Sequence, residues 1–279
     1  MPKIVAGVDS STQSVKVVLR DAESGELIAS TSRPHPDGTE VNPLEWKKAL
    51  DSALDELGKY EISAISIGGQ QHGMVALDHD GAVIRDALLW NDTRSDKAAH
   101  QLNSEIPDIH ERTGSQLVAS FTASKVRWLA DNEKSNAERV AAIALPHDWL
   151  SWQLSGAHNL NSLFTDRSDA SGTGYFDSVK NEYCKDIFAT ALRSQREVVL
   201  PKIIAPNSFG GETSKGVPIA AGAGDNAGAA LGLGAGVGDL VISLGTSGTA
   251  FAVSSISTHD PSGEVAGFAD ATGNFLPLA

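Results

Sequence analysis

The feature that most constrains the fold is a short internal repeat near the two ends of the chain. Residues 8–16, Val-Asp-Ser-Ser-Thr-Gln-Ser-Val-Lys, resemble residues 242–250, Ile-Ser-Leu-Gly-Thr-Ser-Gly-Thr-Ala. In each copy an apolar strand is followed by a turn of small and hydroxyl residues and then by a second strand. Such a turn can present backbone N–H groups and hydroxyls to phosphate oxygens. Two copies, each at the start of a predicted domain, indicate two related halves that hold one nucleotide between them.

The residues between the two copies have the pattern of an α/β protein. Apolar runs predict strands at 4–8, 15–19, 27–31 and 62–67, a hairpin at 74–84, a helix from Pro43 to Leu57, mainly helices over 95–154, loops over 156–177 and a helix after Gly222. We therefore place a first domain at residues 1–237 and the start of a second domain at 238–279. The second segment is shorter than the roughly 100 residues of a complete domain, which predicts an incomplete domain.

Composition excludes several classes of partner. The formal net charge is −13, and no block of Lys or Arg occurs, so nucleic acid and anionic membranes are not expected as partners. The apolar run after Met1 is too short for a signal peptide, and the single cysteine, Cys184, excludes an internal disulfide framework. A cytoplasmic protein is the simplest expectation. The oligomeric state stays open, with a homodimer among the options.

Four segments, in order and spacing, resemble the FGGY family of carbohydrate kinases. They are Val8-Asp9 with its Ser/Thr turn, the Lys125-x-x-Trp128 segment within 120–132, Gly222-Ala-Gly-Asp-Asn-Ala227, and Ser243-Leu-Gly-Thr-Ser-Gly248. Two further segments, Gly69-Gln-Gln-His-Gly73 and Leu88-Leu-Trp-Asn-Asp-Thr-Arg94, are similar to the sugar-side motifs of the ketopentose kinases in that family, many of which have Met where Gln71 stands.

The resemblance implies an actin-like, ribonuclease-H-like fold in each of two domains. It also implies transfer of the γ-phosphoryl group of ATP, with Mg²⁺, to D-xylulose, giving D-xylulose 5-phosphate. The sugar is expected mostly on the first domain, and the adenosine-binding loops mostly on the part of the second domain that this sequence lacks. We therefore expect a fragment with little activity by itself.

Asp225 is the candidate catalytic base. It follows Gly222-Ala-Gly224 and precedes a predicted helix, whose N-terminal potential favours the anionic carboxylate that can accept a hydroxyl proton. An Asp before a helix is far more often only an N-cap, and the family resemblance is what favours the base. Both roles are compatible.

The remaining candidate residues serve the phosphates, the metal and the sugar. Asp9 is assigned to Mg²⁺, because hard cations prefer oxygen ligands, with an Asx turn as the alternative. The phosphate contacts are assigned to Ser11, Thr12, Gly245, Thr246 and Ser247, with Lys16 as a weaker candidate. The sugar contacts are assigned to Gln71, His72, Trp90, Asn91, Asp92, Asp225 and Asn226. Trp128 is expected in the core, and the charged residues Asp166, Arg167 and Asp169 are expected to form a solvated face.

Three functions remain in competition on sequence alone. The first is phosphorylation of xylulose. The second is phosphorylation of a related substrate such as ribulose, gluconate or glycerol by another member of the same family. The third is a non-catalytic, actin-like module that binds sugar. Both candidate aspartates and both phosphate turns are present, which argues against the third.

Overall fold

The computed structural model describes residues 3–244 and 248–279. The strands are β1 Ile4–Ser10, β2 Ser14–Asp21, β3 Leu27–Pro34, β4 Glu40–Val41, β5 Ile62–Gly69, β6 Val75–Leu77, β7 Ala87–Leu88, β8 Ala142–Ala144, β9 Phe164–Thr165, β10 Phe176–Asp177, β11 Glu182–Tyr183, β12 Lys202–Ile203, β13 Phe209–Glu212, β14 Pro218–Ala220, β15 Ala223–Gly224, β16 Leu240–Leu244, β17 Gly248–Ala252, β18 Ala266–Ala269 and β19 Phe275–Leu278. The helices are α1 Pro43–Glu56, α2 Asp96–Glu105, α3 Ile109–Thr113, α4 Thr122–Asn132, α5 Lys134–Arg139, α6 Pro146–Ser155, α7 Arg167–Ser171, α8 Lys185–Leu192 and α9 Asp225–Leu233. Within these two ranges, no helix is long and apolar enough to cross a membrane.

The central sheet is mixed and has the strand order β13-β14-β5-β1-β2-β3, with β15 also paired to β5. Strands β1, β2 and β3 are antiparallel neighbours, whereas β5 runs parallel to β1. The burial of β2 alternates along the strand, and Val15, Val17 and Leu19 are fully buried. That alternation is the signature of a strand with one face on the core. The predicted α/β architecture is confirmed.

Helix α1 covers one face of the sheet as the sequence predicts. Its N-cap is Asn42, whose side chain accepts a hydrogen bond from the backbone N–H of Leu44, and Pro43 occupies the first helical position. The buried face of the helix packs against β2 and β3. From this face Trp46 meets Trp149 of α6 edge to face, with ring centroids 6.5 Å apart. Loss of so large a buried side chain typically costs about 3–5 kcal/mol.

The predicted hairpin at 74–84 is present but short, and its first arm also has a distant partner. Leu77 and Val83 form an antiparallel bridge, and the backbone N–H groups of Asp78 and Ile84 donate to the carbonyls of Ala82 and Ala76. Strand β6 also pairs antiparallel with β8, more than sixty residues away. Strand β8 also interrupts the helical region predicted over 95–154.

The C-terminal residues form a second sheet with the order β16-β17-β19-β18. Its residues Phe251, Phe268 and Leu276 are buried in one core with Leu117 and Phe121 of the preceding region. The second sheet therefore packs against the preceding region. The boundary proposed at residue 238 stays a prediction.

The outer strand of the second sheet is strongly apolar and open to solvent. In β16 the alternate residues Leu240, Ile242 and Leu244 are 63%, 62% and 85% exposed. Because side chains alternate along a strand, these three lie on the same face.

Candidate active site

Three parallel strands end side by side at one edge of the central sheet. Ser10 at the end of β1 is in register with Gly69 of β5, and Gly69 is in register with Gly224 of β15. The residues that follow these strand ends are therefore brought together. In open α/β sheets, ligands bind outside the carboxyl ends of such strands. This edge is the candidate active site.

Asp225 lies at this edge, in the first turn of α9, with Gly224 as the N-cap. Its Oδ1 accepts hydrogen bonds from the backbone N–H of Asn226 at 2.7 Å and from the Asn226 side chain at 3.1 Å. The Asp225 side chain is exposed to solvent. Partial desolvation there, together with the negative charge of Asp9, raises the pKa of Asp225 to about 6 in spite of those hydrogen bonds. A general base is most effective with a pKa near the working pH.

The glycines before Asp225 are required by close approaches. Gly222 has φ +84°, and a Cβ there would lie 2.3 Å from the carbonyl oxygen of Ile67. A Cβ on Gly224 would lie 2.6 Å from Nε2 of Gln71. Only residues without a side chain therefore allow β15 to pack beside β5 and carry Asp225 into the site.

Asp9 stands at the end of β1 and is exposed. Desolvation raises its pKa, and the nearby positive charge of Lys16 opposes the rise. Two neighbouring carboxylates that each resist ionisation suit a divalent cation, since Mg²⁺ would relieve their repulsion and prefers oxygen ligands. Asp9 therefore fits the metal assignment, and its negative charge raises the pKa of Asp225.

The first phosphate turn is joined to the sugar-side segment. The backbone N–H and hydroxyl of Ser11 both donate to the carbonyl of Ser14 at 3.0 Å, which closes the turn. Nε1 of Trp90 donates to Oγ1 of Thr12 at 2.8 Å. Nδ1 of His35 lies 2.9 Å from the Ser11 carbonyl oxygen and so acts as a donor. Sequence reasoning missed His35, which is buried against the turn and whose pKa burial lowers.

Gln71 and His72 both contact the protein interior. Nε2 of Gln71 donates to the carbonyl of Ser168 at 3.1 Å. His72 has the unusual φ of +69°, and its Nδ1 donates to the carbonyl of Gly172 at 2.6 Å. Burial lowers the pKa of His72 to about 4, so the ring is neutral and Nε2 is an acceptor. The assignment of these two residues to the sugar stays a prediction.

The residues of the Trp90-Asn91-Asp92 segment differ from one another in their exposure to solvent. The Trp90 ring is 46% exposed, which leaves a flat apolar face open at the site. The Asp92 carboxylate is buried and accepts hydrogen bonds from Thr39 at 2.8 Å and from Nε of Arg94 at 2.8 Å. Burial alone would raise the pKa of Asp92, but these hydrogen bonds outweigh it and hold the pKa below its ordinary value. Asn91 and Asn226 are half-buried, and the sugar contacts of all four residues stay predictions.

Part of the candidate site lies outside the described residues. The predicted phosphate contacts Gly245, Thr246 and Ser247 fall in that gap. The flanking strands β16 and β17 are antiparallel, with Leu244 in register with Gly248. The strand–turn–strand pattern of the repeat is thus confirmed for the two strands.

The prediction that Asp166, Arg167 and Asp169 form a solvated face is wrong for the two acids. Asp166 is 3% exposed and Asp169 is fully buried, and both lie against the buried ring of His147. Charged residues usually stay in water, which is why the segment was misread. The signal that could have revealed the cluster is the polar pair His147-Asp148 inside the apolar run from Leu145 to Leu150.

Trp128, expected in the core, is half-buried, with the guanidinium groups of Arg85 and Arg94 each 5.2 Å from its ring.

The sheet order and the parallel strand ends define an actin-like ATPase fold. The family model for the N-terminal domain of the FGGY family of carbohydrate kinases matches residues 4–232, and the chain belongs to that family. It is 45% identical to a xylulose kinase of Streptomyces coelicolor and 44% identical to one of Streptomyces rubiginosus, in each case over 99% of this chain and 60% of the relative. The crystal structure of xylulose kinase from Bifidobacterium adolescentis superposes with a TM-score of 0.96 at 43% identity, covering 100% of this chain and 64% of that one. The chain therefore spans about 60% of the length of these relatives.

Proposed function

We propose that this chain is the sugar-binding part of a kinase that transfers the γ-phosphoryl group of ATP to D-xylulose. The observation that carries the proposal is the position of the Asp225 carboxylate. It lies beside Asp9 at the joined ends of β1, β5 and β15, with a pKa near 6. The relatives of known name with 43–45% identity support xylulose as the sugar.

In the proposed reaction a sugar hydroxyl forms a bond to the γ-phosphorus while the bond from that phosphorus to the oxygen of ADP breaks. Asp225 accepts the proton of the attacking hydroxyl. Asp9 would hold Mg²⁺, which neutralises phosphate charge when it is bound. The turn at Ser11 and Thr12 supplies N–H and hydroxyl donors to the phosphates. The exposed face of Trp90 supplies an apolar surface for the sugar ring.

The experiment is a substrate panel on the full-length enzyme. Purified enzyme with ATP and Mg²⁺ would be assayed for ADP release with D-xylulose, ribulose, gluconate and glycerol. We expect the highest kcat/KM with xylulose. A higher kcat/KM with one of the other three would assign the chain to another activity of the same family. Sugar binding without ADP release from any of them would favour a non-catalytic module.

A further inference from the structure

The strand ends of the candidate site rest on a buried histidine. His147 is in the first turn of α6 and is fully buried. A Cβ on Gly69 would lie 3.3 Å from Cβ of His147, and one on Gly222 would lie 3.1 Å from its Nδ1. The imidazole therefore packs directly behind β5 and the turn that leads into β15.

Three carboxylates surround one nitrogen of this ring. Nε2 of His147 lies 3.0 Å from Asp169, 3.3 Å from Asp166 and 3.5 Å from Asp148. All three acids are at most 3% exposed. Buried carboxylates without a cation would be strongly destabilising, because each loses its hydration. A positive charge on the imidazole would offset the burial of these carboxylates.

The cluster is connected to the catalytic strand end by hydrogen bonds. Oδ2 of Asp166 accepts from the hydroxyl and, at 2.7 Å, from the backbone N–H of Ser168. The Ser168 hydroxyl oxygen in turn accepts from the backbone N–H of Gly224 at 3.1 Å. Gly224 is the N-cap residue that immediately precedes Asp225. The path from His147 to the candidate base therefore runs through two side chains and one backbone amide.

We propose that His147 acts as a buried cation that positions Asp225, through Asp166, Ser168 and the backbone amide of Gly224. This role rests on the proposed function of Asp225. Burial alone would lower the pKa of His147, but the charges of Asp169 and Asp148 outweigh it and raise the pKa well above its ordinary value. The pKa of Asp169 is raised to about 6, mainly by burial, and the charge of Asp225 contributes to the rise. The cluster and the candidate base are thus electrostatically coupled.

The first test measures amide hydrogen exchange in the 279-residue chain. His147→Gln keeps a polar side chain but removes the cation, whereas His147→Lys supplies a cation with three donors for three carboxylates. We expect H147Q to raise exchange in the segment 222–227 about tenfold and H147K to return it to within about threefold of wild type, since local opening is governed by local contacts. His158→Gln, at an exposed histidine, is the matched control.

A second variant distinguishes a local effect on the Gly224 strand end from misfolding. Ser168→Ala removes only the hydroxyl between Asp166 and Gly224, and it should raise exchange at Gly224 as H147Q does. Exchange in 222–227 that stays at the level of H158Q in both variants would overturn the proposal. So would an increase that is equal in every segment, which indicates general loss of stability. A stoichiometric divalent ion in native mass spectra that H147Q loses would also overturn it, because His147 would then be a metal ligand.

The second test asks whether the positioning matters for catalysis in the full-length enzyme. We expect H147Q to lower kcat about tenfold while KM for xylulose changes less than about threefold, with kcat largely restored in H147K. An unchanged kcat in H147Q would overturn the proposal. If the wild-type enzyme phosphorylates no sugar of the panel, the proposed function fails. The exchange experiment still decides whether His147 holds the Gly224 strand end.

Discussion

Trp90 and Thr12 join the two parts of the candidate site, with Nε1 of the indole donating to the threonine hydroxyl at 2.8 Å. The two residues are 78 positions apart in the sequence. One belongs to the segment that is predicted to contact the sugar, and the other to the turn that is predicted to contact the phosphates. The hydrogen bond therefore fixes the position of the predicted sugar-binding segment relative to the predicted phosphate turn.

The Trp90–Thr12 bond should be measurable as a coupling energy in the 279-residue chain. Trp90→Phe keeps an aromatic face without the N–H, and Thr12→Val keeps the shape without the hydroxyl. In a double-mutant cycle on the free energy of unfolding we expect a coupling of about 1 kcal/mol, the usual net value of one hydrogen bond. Thr12→Ser, which retains the hydroxyl and the bond, is the control, and its cycle with Trp90→Phe should give a coupling near zero. A coupling of zero with T12V would show that the bond contributes nothing.

The local elements around this site were predictable from the sequence, whereas the contacts between distant segments were not. The two strands that flank the first turn and the N-terminus of α9 follow from apolar runs and glycines. The pairing of β6 with β8 and the burial of Asp166 and Asp169 depend on which distant surface covers each segment. Periodicity carries no information about that surface. The ring of His147 stabilises the two acids in the interior, and the position of the ring depends on the packing of α6 behind β5.

Replacing Asp225 with Asn should abolish most of the activity of the full-length enzyme. The change keeps the size of the side chain and its place in the first turn of α9, but it removes the proton acceptor. We expect kcat to fall by at least about a hundredfold, the lower range for general base catalysis. Binding of xylulose, measured by calorimetry, should survive with at most a modest loss. A D225N enzyme with near-normal kcat would show that Asp225 is not the base and is only a polar residue in the first turn of α9.

The raised pKa of Asp225 predicts how activity depends on pH. The carboxyl must be ionised to accept a proton, and its pKa is about 6. The kcat should therefore fall as the pH is lowered through 6.

In the 279-residue chain, ¹³C NMR of the carboxyl should show a titration near pH 6. Asp9→Asn should move that titration to lower pH, because it removes a negative charge that opposes ionisation of Asp225. Asp37→Asn, at an exposed acid, is the control, and an equal shift in both variants would contradict the coupling between Asp9 and Asp225.

A change at His72 should affect KM for the sugar more than KM for the nucleotide. Its ring is fixed by the Gly172 carbonyl and lies 4.9 Å from Phe121 and 5.5 Å from Phe268, between ring centroids. In the full-length enzyme His72→Ala should raise KM for xylulose more than KM for ATP, since it removes a neutral acceptor on the sugar side. His72→Asn, which retains an acceptor and tolerates positive φ, should lose less. Equal changes in both constants, or no change, would remove His72 from the sugar site.

The last prediction concerns the 279-residue chain by itself, which spans about 60% of the length of its relatives. We expect it to bind xylulose through the first domain but to bind ATP weakly and to have little kinase activity. The reason is that the phosphates would meet the turn at Ser11 and Thr12 in open water, where salt and solvent weaken each contact. A closing second domain normally also excludes water, which otherwise competes with the sugar hydroxyl as the nucleophile.

The apolar face of β16 supports the same expectation of little kinase activity in the 279-residue chain. Leu240, Ile242 and Leu244 are more than 60% exposed along one face of an outer strand, a surface that proteins rarely leave uncovered. Calorimetry with ATP and a coupled ADP-release assay with xylulose would measure binding and turnover, with the full-length enzyme as the control. Light scattering would report self-association through β16, which Ile242→Thr should reduce by lowering the apolar character of that face. Robust turnover by the 279-residue chain would show that the adenosine site is dispensable or lies within these residues.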